Sequence, residues 1–99
     1  MNIANWPQRC VAHWRMLLQA QTIVNQVFMI GVNRTGTDGN GIVYESSSGV
    51  VNANGEFLSL AATAGEIDWY DVSRPELMDF RREFSTRQDR RSDLYRQLL

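Results

Sequence analysis

Between residues 9 and 26 the polar positions fall in one narrow stripe. Arg15, Gln19, Thr22 and Gln26 recur at i, i+4, i+7 and i+11, the spacing of a single helical face. Cys10, Val11, Trp14, Leu17, Leu18 and Val24 lie opposite, and Met16, Ala20 and Ile23 carry the apolar surface round one side. The segment holds no Gly or Pro. It predicts a helix that is apolar over well over half its circumference, where an ordinary surface helix shows a stripe of ~100° or somewhat more. A helix of that kind is covered twice, by its own sheet and by something else.

Around it the pattern changes period. Asn2 to Asn5 reads as the end of a strand, broken by Trp6 and Pro7. Val27 to Asn33 is a continuous apolar run with β-branched and aromatic residues, predicting a central strand buried on both faces. Arg34 to Gly41 carries three Gly in eight residues and predicts a loop. Ile42 to Tyr44 is a short strand candidate, followed by the polar interruption Ser46 to Ser48. Gly49 to Val51 leads into Asn52 to Gly55, where Asn54-Gly55 is a hairpin signal with Glu56 to Leu60 as the return strand. Gly65 to Val72 predicts another strand, with Ile67, Trp69 and Val72 alternating against Glu66, Asp68 and Asp71. Ser73, Pro75 and Glu76 form a capping box, so a helix runs on to about Phe84. The tail ends in Leu94, Tyr95, Leu98 and Leu99, too apolar for a plain solvated end. This order predicts an α/β (α+β layered) arrangement, a mixed sheet with helices on one face, without internal repeat or domain boundary.

Composition narrows the chemistry. The 99 residues are 43% hydrophobic and 21% charged with a formal net charge of −1, which suits one small globular domain. All ten basic residues are arginines, so Schiff-base chemistry on lysine and any lysine-dependent triad are excluded within this chain. One His and one Cys exclude a four-ligand zinc site of Cys and His, and a lone Cys excludes a disulfide scaffold. No cofactor is expected. No apolar run approaches the ~20 residues of a membrane span, and no basic segment followed by an apolar one opens the chain. A cytoplasmic protein is the expectation, with neither membrane nor nucleic acid as partner. Arg81 to Arg96 is locally basic, six Arg against Glu83, Asp89 and Asp93, but interleaved signs point to ion pairs instead.

Few residues invite a catalytic role. Cys10 sits near a helix start, where a thiol pKa can fall, with His13 as its only local base; it reads better as a small buried hydrophobe. His13 reads as a packing residue. The loop from Arg34 lacks the Lys-Ser/Thr of a phosphate loop, and Asp38 and Asn40 lack calcium-loop spacing. Asn5 and Trp6 are the best candidates for binding, because they follow a strand end, where ligand sites of α/β folds gather.

These same residues carry a family resemblance. Asn5-Trp6-Pro7-Gln8-Arg9, His13-Trp14 with Leu17-Leu18, and Ala20 through Asn25-Gln26 resemble the A-N-W-P strand end, H-W-x-x-L-L helix and A-R-A-I-E-N-Q helix end of the nitrilase, or carbon–nitrogen hydrolase, superfamily. Gly31 to Arg34, Gly36, Asp38 to Gly41, Tyr44, Ser48, Gly55-Glu56, Phe80-Arg81, Glu83-Phe84, Asp89, Arg91 and Tyr95 continue it. The pattern is that of omega-amidase-like members, which hydrolyse the terminal amide of small ω-amido-2-oxo acids. The chain departs from it at Gln21 and Val24, where the family has Arg and Glu, and at Ser46, where it has Gly.

The resemblance implies an α-β-β-α sandwich, of which residues 1–99 would form one partial domain from the C-terminal portion. It implies a Glu–Lys–Cys triad in which Cys attacks the amide carbonyl, Glu acts as base and Lys stabilises the oxyanion. All three would lie N-terminal to the A-N-W-P segment, so no catalytic residue is expected here and the chain alone should be inactive. Asn5 and Trp6 would lie close to the active-site mouth, meeting a small amide only when the site is complete. The implied partner is a second copy, or the N-terminal half of the same hydrolase, held through helix 9–26. A non-catalytic interaction module of the same ancestry is the rival reading.

Overall fold

The computed structural model describes all 99 residues. Its centre is a three-stranded mixed sheet in the order β1 (Asn2–Ala4), β2 (Met29–Asn33), β5 (Gly49–Val51). β1 runs parallel to β2, Ala4 facing Asn33, and β5 runs antiparallel to it. A helical turn at Gln8–Cys10 follows Pro7 and feeds α1 (Val11–Asn25). The helix stops at Gln26, whose left-handed backbone (φ 51°) lets its N–H reach the Thr22 carbonyl.

α1 lies on one face of this sheet. Trp14 and Leu18 close over Gly31, where a Cβ would stand 2.6 Å from Leu18 Cδ1 and 2.9 Å from Trp14 Cζ2. Only a glycine lets helix and strand approach that far. Val51 completes this small core.

The polar stripe of the helix is not its solvent edge. Thr22 and Gln26 are buried, and the outward face carries Met16, Leu17, Ile23 and Val24, from 51% to 71% exposed. From Gln19 onward the stripe turns inward because each polar group there has a partner, while Arg15 stays exposed. The Thr22 hydroxyl donates to the Gln19 carbonyl (2.7 Å) and Gln19 Nε2 donates to the Gly55 carbonyl (2.8 Å).

β2 is central, as its composition predicts, but covered on one face only. Ile30 and Val32 point away from α1 and are 38% and 39% exposed, beside an open Ile3. The loop from Arg34 contains a short hairpin, β3 (Gly36–Thr37) against β4 (Val43–Tyr44). The return strand expected over Glu56 to Leu60 contracts to a single bridge, Val51 to Phe57. The strand expected over Gly65 to Val72 is instead a hairpin, β6 (Ala62–Ala64) with β7 (Ile67–Trp69), because Gly65 adopts φ 60° and turns the chain. All six of its ladder residues are exposed.

α2 (Arg74–Glu83) starts where the capping box predicts, Ser73 Oγ accepting from the Glu76 N–H. Its C-terminal end is tied to α1 through Gln26. Arg81 Nε donates to the Gln26 carbonyl (2.8 Å), Gln26 Nε2 donates to the Phe84 carbonyl (2.6 Å), and Thr86 donates to Gln26 Oε1 (2.9 Å). A terminal helix, α3 (Ser92–Leu98), leaves Leu94, Tyr95, Leu98 and Leu99 in solvent. The ion pairs of the arginine-rich stretch are local, Arg82 with Asp79 and Arg91 with Asp93.

The result is a slab with extents of 49 × 36 × 16 Å and a radius of gyration of 16.9 Å. A closed domain of this length has a radius of ~13 Å. The excess radius, the open sheet face and the apolar outer face of α1 describe layers that lack their covering. No helix is long and apolar enough to cross a membrane.

Candidate strand-end site

The carboxyl ends of the parallel strands β1 and β2 bring together Asn5, Trp6, Asn33 and Arg34. Pro7 cannot donate to a ladder, so the chain must leave the sheet after Trp6. The Arg34 N–H reaches the Ala4 carbonyl (3.3 Å) as the last main-chain bond between the two strands. Beyond it, Asn33 Oδ1 accepts from the Trp6 N–H (2.7 Å) and Asn33 Nδ2 donates to the Trp6 carbonyl (2.9 Å). The same Nδ2 donates to Ser47 Oγ (3.0 Å), and the Asn33 N–H donates to Ser48 Oγ (2.9 Å).

The Trp6 indole is fixed from its other end. Its Nε1 donates to the Cys10 carbonyl (2.5 Å), and its ring lies 5.9 Å from that of Trp14, tilted by 36°. Trp14 in turn donates to the Ser47 carbonyl (2.8 Å). Trp6 is therefore a half-buried, held aromatic surface. Asn5 is exposed, and its carboxamide takes no part in these hydrogen bonds.

Beside the strand ends lies an open cleft of about 400 Å³ bordered by Arg34, Thr35, Ser46, Ser48, Glu66 and Asp68; neither Asn5 nor Trp6 lines it, and the indole borders instead an apolar cleft with Met1, Trp14, Leu17 and Leu18. The Arg34 guanidinium stacks 4.5 Å from the Tyr44 ring centroid. Asp38 organises the loop behind it. Its Oδ1 accepts the Asn40 (2.8 Å) and Ile42 (3.0 Å) N–H groups, and its Oδ2 accepts the Tyr44 hydroxyl (3.0 Å). The Ile42 N–H, above all, holds the Asp38 carboxyl below the usual carboxylate range, with the Asn40, Tyr44 and Arg34 groups adding to it against some desolvation. Desolvation and the neighbouring carboxylate push the Tyr44 hydroxyl up. The carboxylate thus serves as a turn-builder.

This geometry can hold and orient a small polar molecule, but it assembles no nucleophile with a base. Cys10 is half-buried and free; it is the Cys10 carbonyl, not its thiol, that anchors the indole. His13 points to solvent on α1. No group of three or more His, Cys, Asp or Glu side chains could hold a metal. The sequence points to the strand end, and it offers Asn33 and Ser48 only as motif positions of the resemblance, not as the residues that build that end together with Ser47. Their signal is a polar residue closing an apolar strand and a serine run between two others.

The chain matches no established family profile. It is 40% identical over 89 residues to omega-amidase YafV of Escherichia coli K12, covering 88% of this chain and 34% of that protein. It is 32% identical over 84 residues to omega-amidase NIT2 of Homo sapiens, covering 85% of this chain and 30% of that one. A carbon–nitrogen hydrolase from Helicobacter pylori G27 superposes with a TM-score of 0.76 at 27% identity, over 97% of this chain and 38% of that one. XC1258 of Xanthomonas campestris, a CN-hydrolase superfamily protein with an arsenic adduct in its active site, superposes with a TM-score of 0.74 at 26% identity, over 91% and 36%. The chain spans about a third of the length of the curated relatives it matches.

Proposed function

This chain belongs to the carbon–nitrogen hydrolase superfamily and matches the C-terminal part of its omega-amidase members, and from that premise we propose that it forms one wall of an omega-amidase-like site. The reaction is hydrolysis of the terminal amide of a small ω-amido-2-oxo acid. In it a Cys outside this chain attacks the carbonyl carbon while a Lys outside this chain holds the oxyanion; a Glu takes the thiol proton and passes it to the amide nitrogen as the C–N bond breaks and ammonia leaves, and water then hydrolyses the thioester to the acid and the free thiol. Asn5 and Trp6 line the mouth. The held indole gives the substrate a rigid apolar side, and the free Asn5 carboxamide gives it a donor and an acceptor.

The observation that carries this reading is the unfinished sheet. β1 is an edge strand, and Ile3, Ile30 and Val32 stand open on the face away from α1, in a chain 40% identical to an omega-amidase. An apolar sheet face of this kind needs a second layer. The outward face of α1 is the second contact surface, for another copy or for the N-terminal part of the same hydrolase. The single Cys fits a reducing, cytoplasmic setting.

The test is complementation. The chain is mixed with the separately produced N-terminal portion of YafV, where the family resemblance puts the Glu, Lys and Cys, and ammonia release from an ω-amido-2-oxo acid is followed. Turnover by the mixture and by neither part alone is the expected outcome. Stable association without turnover would leave the interaction-module reading in its place.

A further inference from the structure

Trp6 has both of its main-chain groups beyond the end of the β1–β2 ladder, and both are satisfied by one side chain. We propose that Asn33 is the positioning residue of the strand-end site, its carboxamide standing in for the missing ladder rung and so setting where the Trp6 indole points. The inference rests on the reading above that Trp6 borders the substrate.

The chemistry of the carboxamide is fully used. Oδ1 accepts from the Trp6 N–H at 2.7 Å, while the two hydrogens of Nδ2 go to the Trp6 carbonyl at 2.9 Å and Ser47 Oγ at 3.0 Å. The residue is buried, so water does not compete for these bonds. A parallel neighbour would offer the same donor–acceptor pair from its backbone, but Pro7 ends the strand one residue later. Asn33 therefore extends the sheet by one residue at the point where an α/β sheet presents its ligand surface. Its main chain is clamped as well, the Asn33 N–H donating to Ser48 Oγ, and that hydroxyl also reaching the Asn33 carbonyl at 3.3 Å. β1, β2 and the serine run thus meet at one side chain. The indole is a lever held at both ends, by Asn33 at its backbone and by the Cys10 carbonyl at Nε1.

No other residue type does this. Asp keeps the shape and one acceptor but presents a negative oxygen to the Trp6 carbonyl and loses both donors. Ser is too short to span both Trp6 groups. Ser47→Ala, by contrast, removes one contact of Asn33 and leaves both bonds to Trp6.

The experiment compares Asn33→Asp, Asn33→Ser and Ser47→Ala in the full chain. With Trp69 replaced by Phe in every sample, near-ultraviolet circular dichroism reads the Trp6–Trp14 pair and far-ultraviolet dichroism reads the fold. Asn33→Asp is expected to lose at least half of the near-ultraviolet tryptophan signal with the far-ultraviolet spectrum kept, and Ser47→Ala to keep both. In the complemented enzyme, Asn33→Asp is expected to raise KM about tenfold or more with kcat within about threefold. Asn33→Ser, which carries no charge, decides the matter if Asn33→Asp does not fold. An unchanged tryptophan signal in both Asn33 variants overturns the proposal, as does an equal fall in kcat and kcat/KM with KM unmoved. If wild-type mixtures show no turnover, the amidase reading fails, while the optical comparison still decides whether Asn33 positions Trp6.

Discussion

All thirteen buried residues lie between Trp14 and Gly55, and none lies in the remaining 44 residues to Leu99. The two regions use different physics. The first is an apolar contact set, with Trp14, Leu18 and Val51 closing over Gly31, plus buried polar groups that are each bonded. The second is a chain of local devices: a hairpin turned at Gly65, a helix capped by Ser73, and a latch at Gln26. Such local devices contribute only about 0.5–2 kcal/mol each, whereas one buried aromatic side chain removed from a core costs about 3–5 kcal/mol. Beyond Phe57, which packs on the first region's core, the second region depends on a neighbour, and the sole hydrogen-bonded link between α2 and α1 passes through one glutamine.

The sharpest break comes from Trp14→Ala. It removes the side chain that meets Gly31, Leu18, Trp6 and the Ser47 carbonyl together. A loss of about 3–5 kcal/mol is expected, enough to unfold the first region in urea titration followed by far-ultraviolet dichroism. Retention of the native midpoint would mean that this core is not what holds the chain.

Gln26→Ala should separate the regions. It deletes the bonds to Phe84 and Thr86, at a cost of about 1–3 kcal/mol, and frees residues 84–99 for proteolysis while the first region stays protected. Gln26→Gly sharpens the point, since it relieves the positive φ at the same position. Equal cleavage in both variants assigns the effect to the latch; protection in the glycine variant alone would assign it to backbone strain.

Met16→Glu with Val24→Glu changes a surface, not a core. The fold should shift by less than about 0.5 kcal/mol, while the elution of the isolated chain in size-exclusion chromatography moves from oligomer to monomer. A wild-type chain that already elutes as a highly soluble monomer would remove the second surface from the account.

The smallest effect is one of pH in the β3–β4 hairpin. The folded Asp38 pKa lies below its unfolded value, so its contribution is complete above the unfolded pKa of ~4 and is lost as pH falls through the folded one. The folded Tyr44 pKa lies above its unfolded value, so its contribution is complete below ~10 and is lost as pH rises through the folded one. Protection of the Asn40 and Ile42 amides, measured against the unstructured exchange rate at each pH, should therefore fall at both ends of the pH range, and Tyr44→Phe should abolish the alkaline limb. A flat profile between these limits with no acid limb would remove Asp38 as the turn-builder.

The same division governs what was legible in the sequence. α1, β1, β2, the Ser73 cap and the family resemblance followed from period, Pro placement and motif, each a property of neighbouring residues. Which side of α1 faces the sheet did not, because both sides are apolar and the inward polar groups find partners far along the chain, at Gly55 and Phe84. The return strand expected after Gly55 fails for a related reason. Asn54-Gly55 specifies a turn, but a ladder needs a continuing neighbour, and only Phe57 has one. At the site, Asn5 and Trp6 were legible as a strand end before proline. Asn33 was not, since a carboxamide closing an apolar run looks like a strand terminator until its partner 27 residues away is seen.

The free edge of β1 also makes time a variable. A sheet that closes on its own chain forms at a rate independent of concentration. One whose edge waits for a strand from another molecule meets it at ~10⁵–10⁷ M⁻¹s⁻¹ multiplied by that molecule's concentration. Until then its main-chain N–H and C=O groups are open to any extended segment that passes. Where the covering strand is the proposed partner's, dilution lengthens the exposed interval in direct proportion, and assembly becomes a race set by that partner's supply.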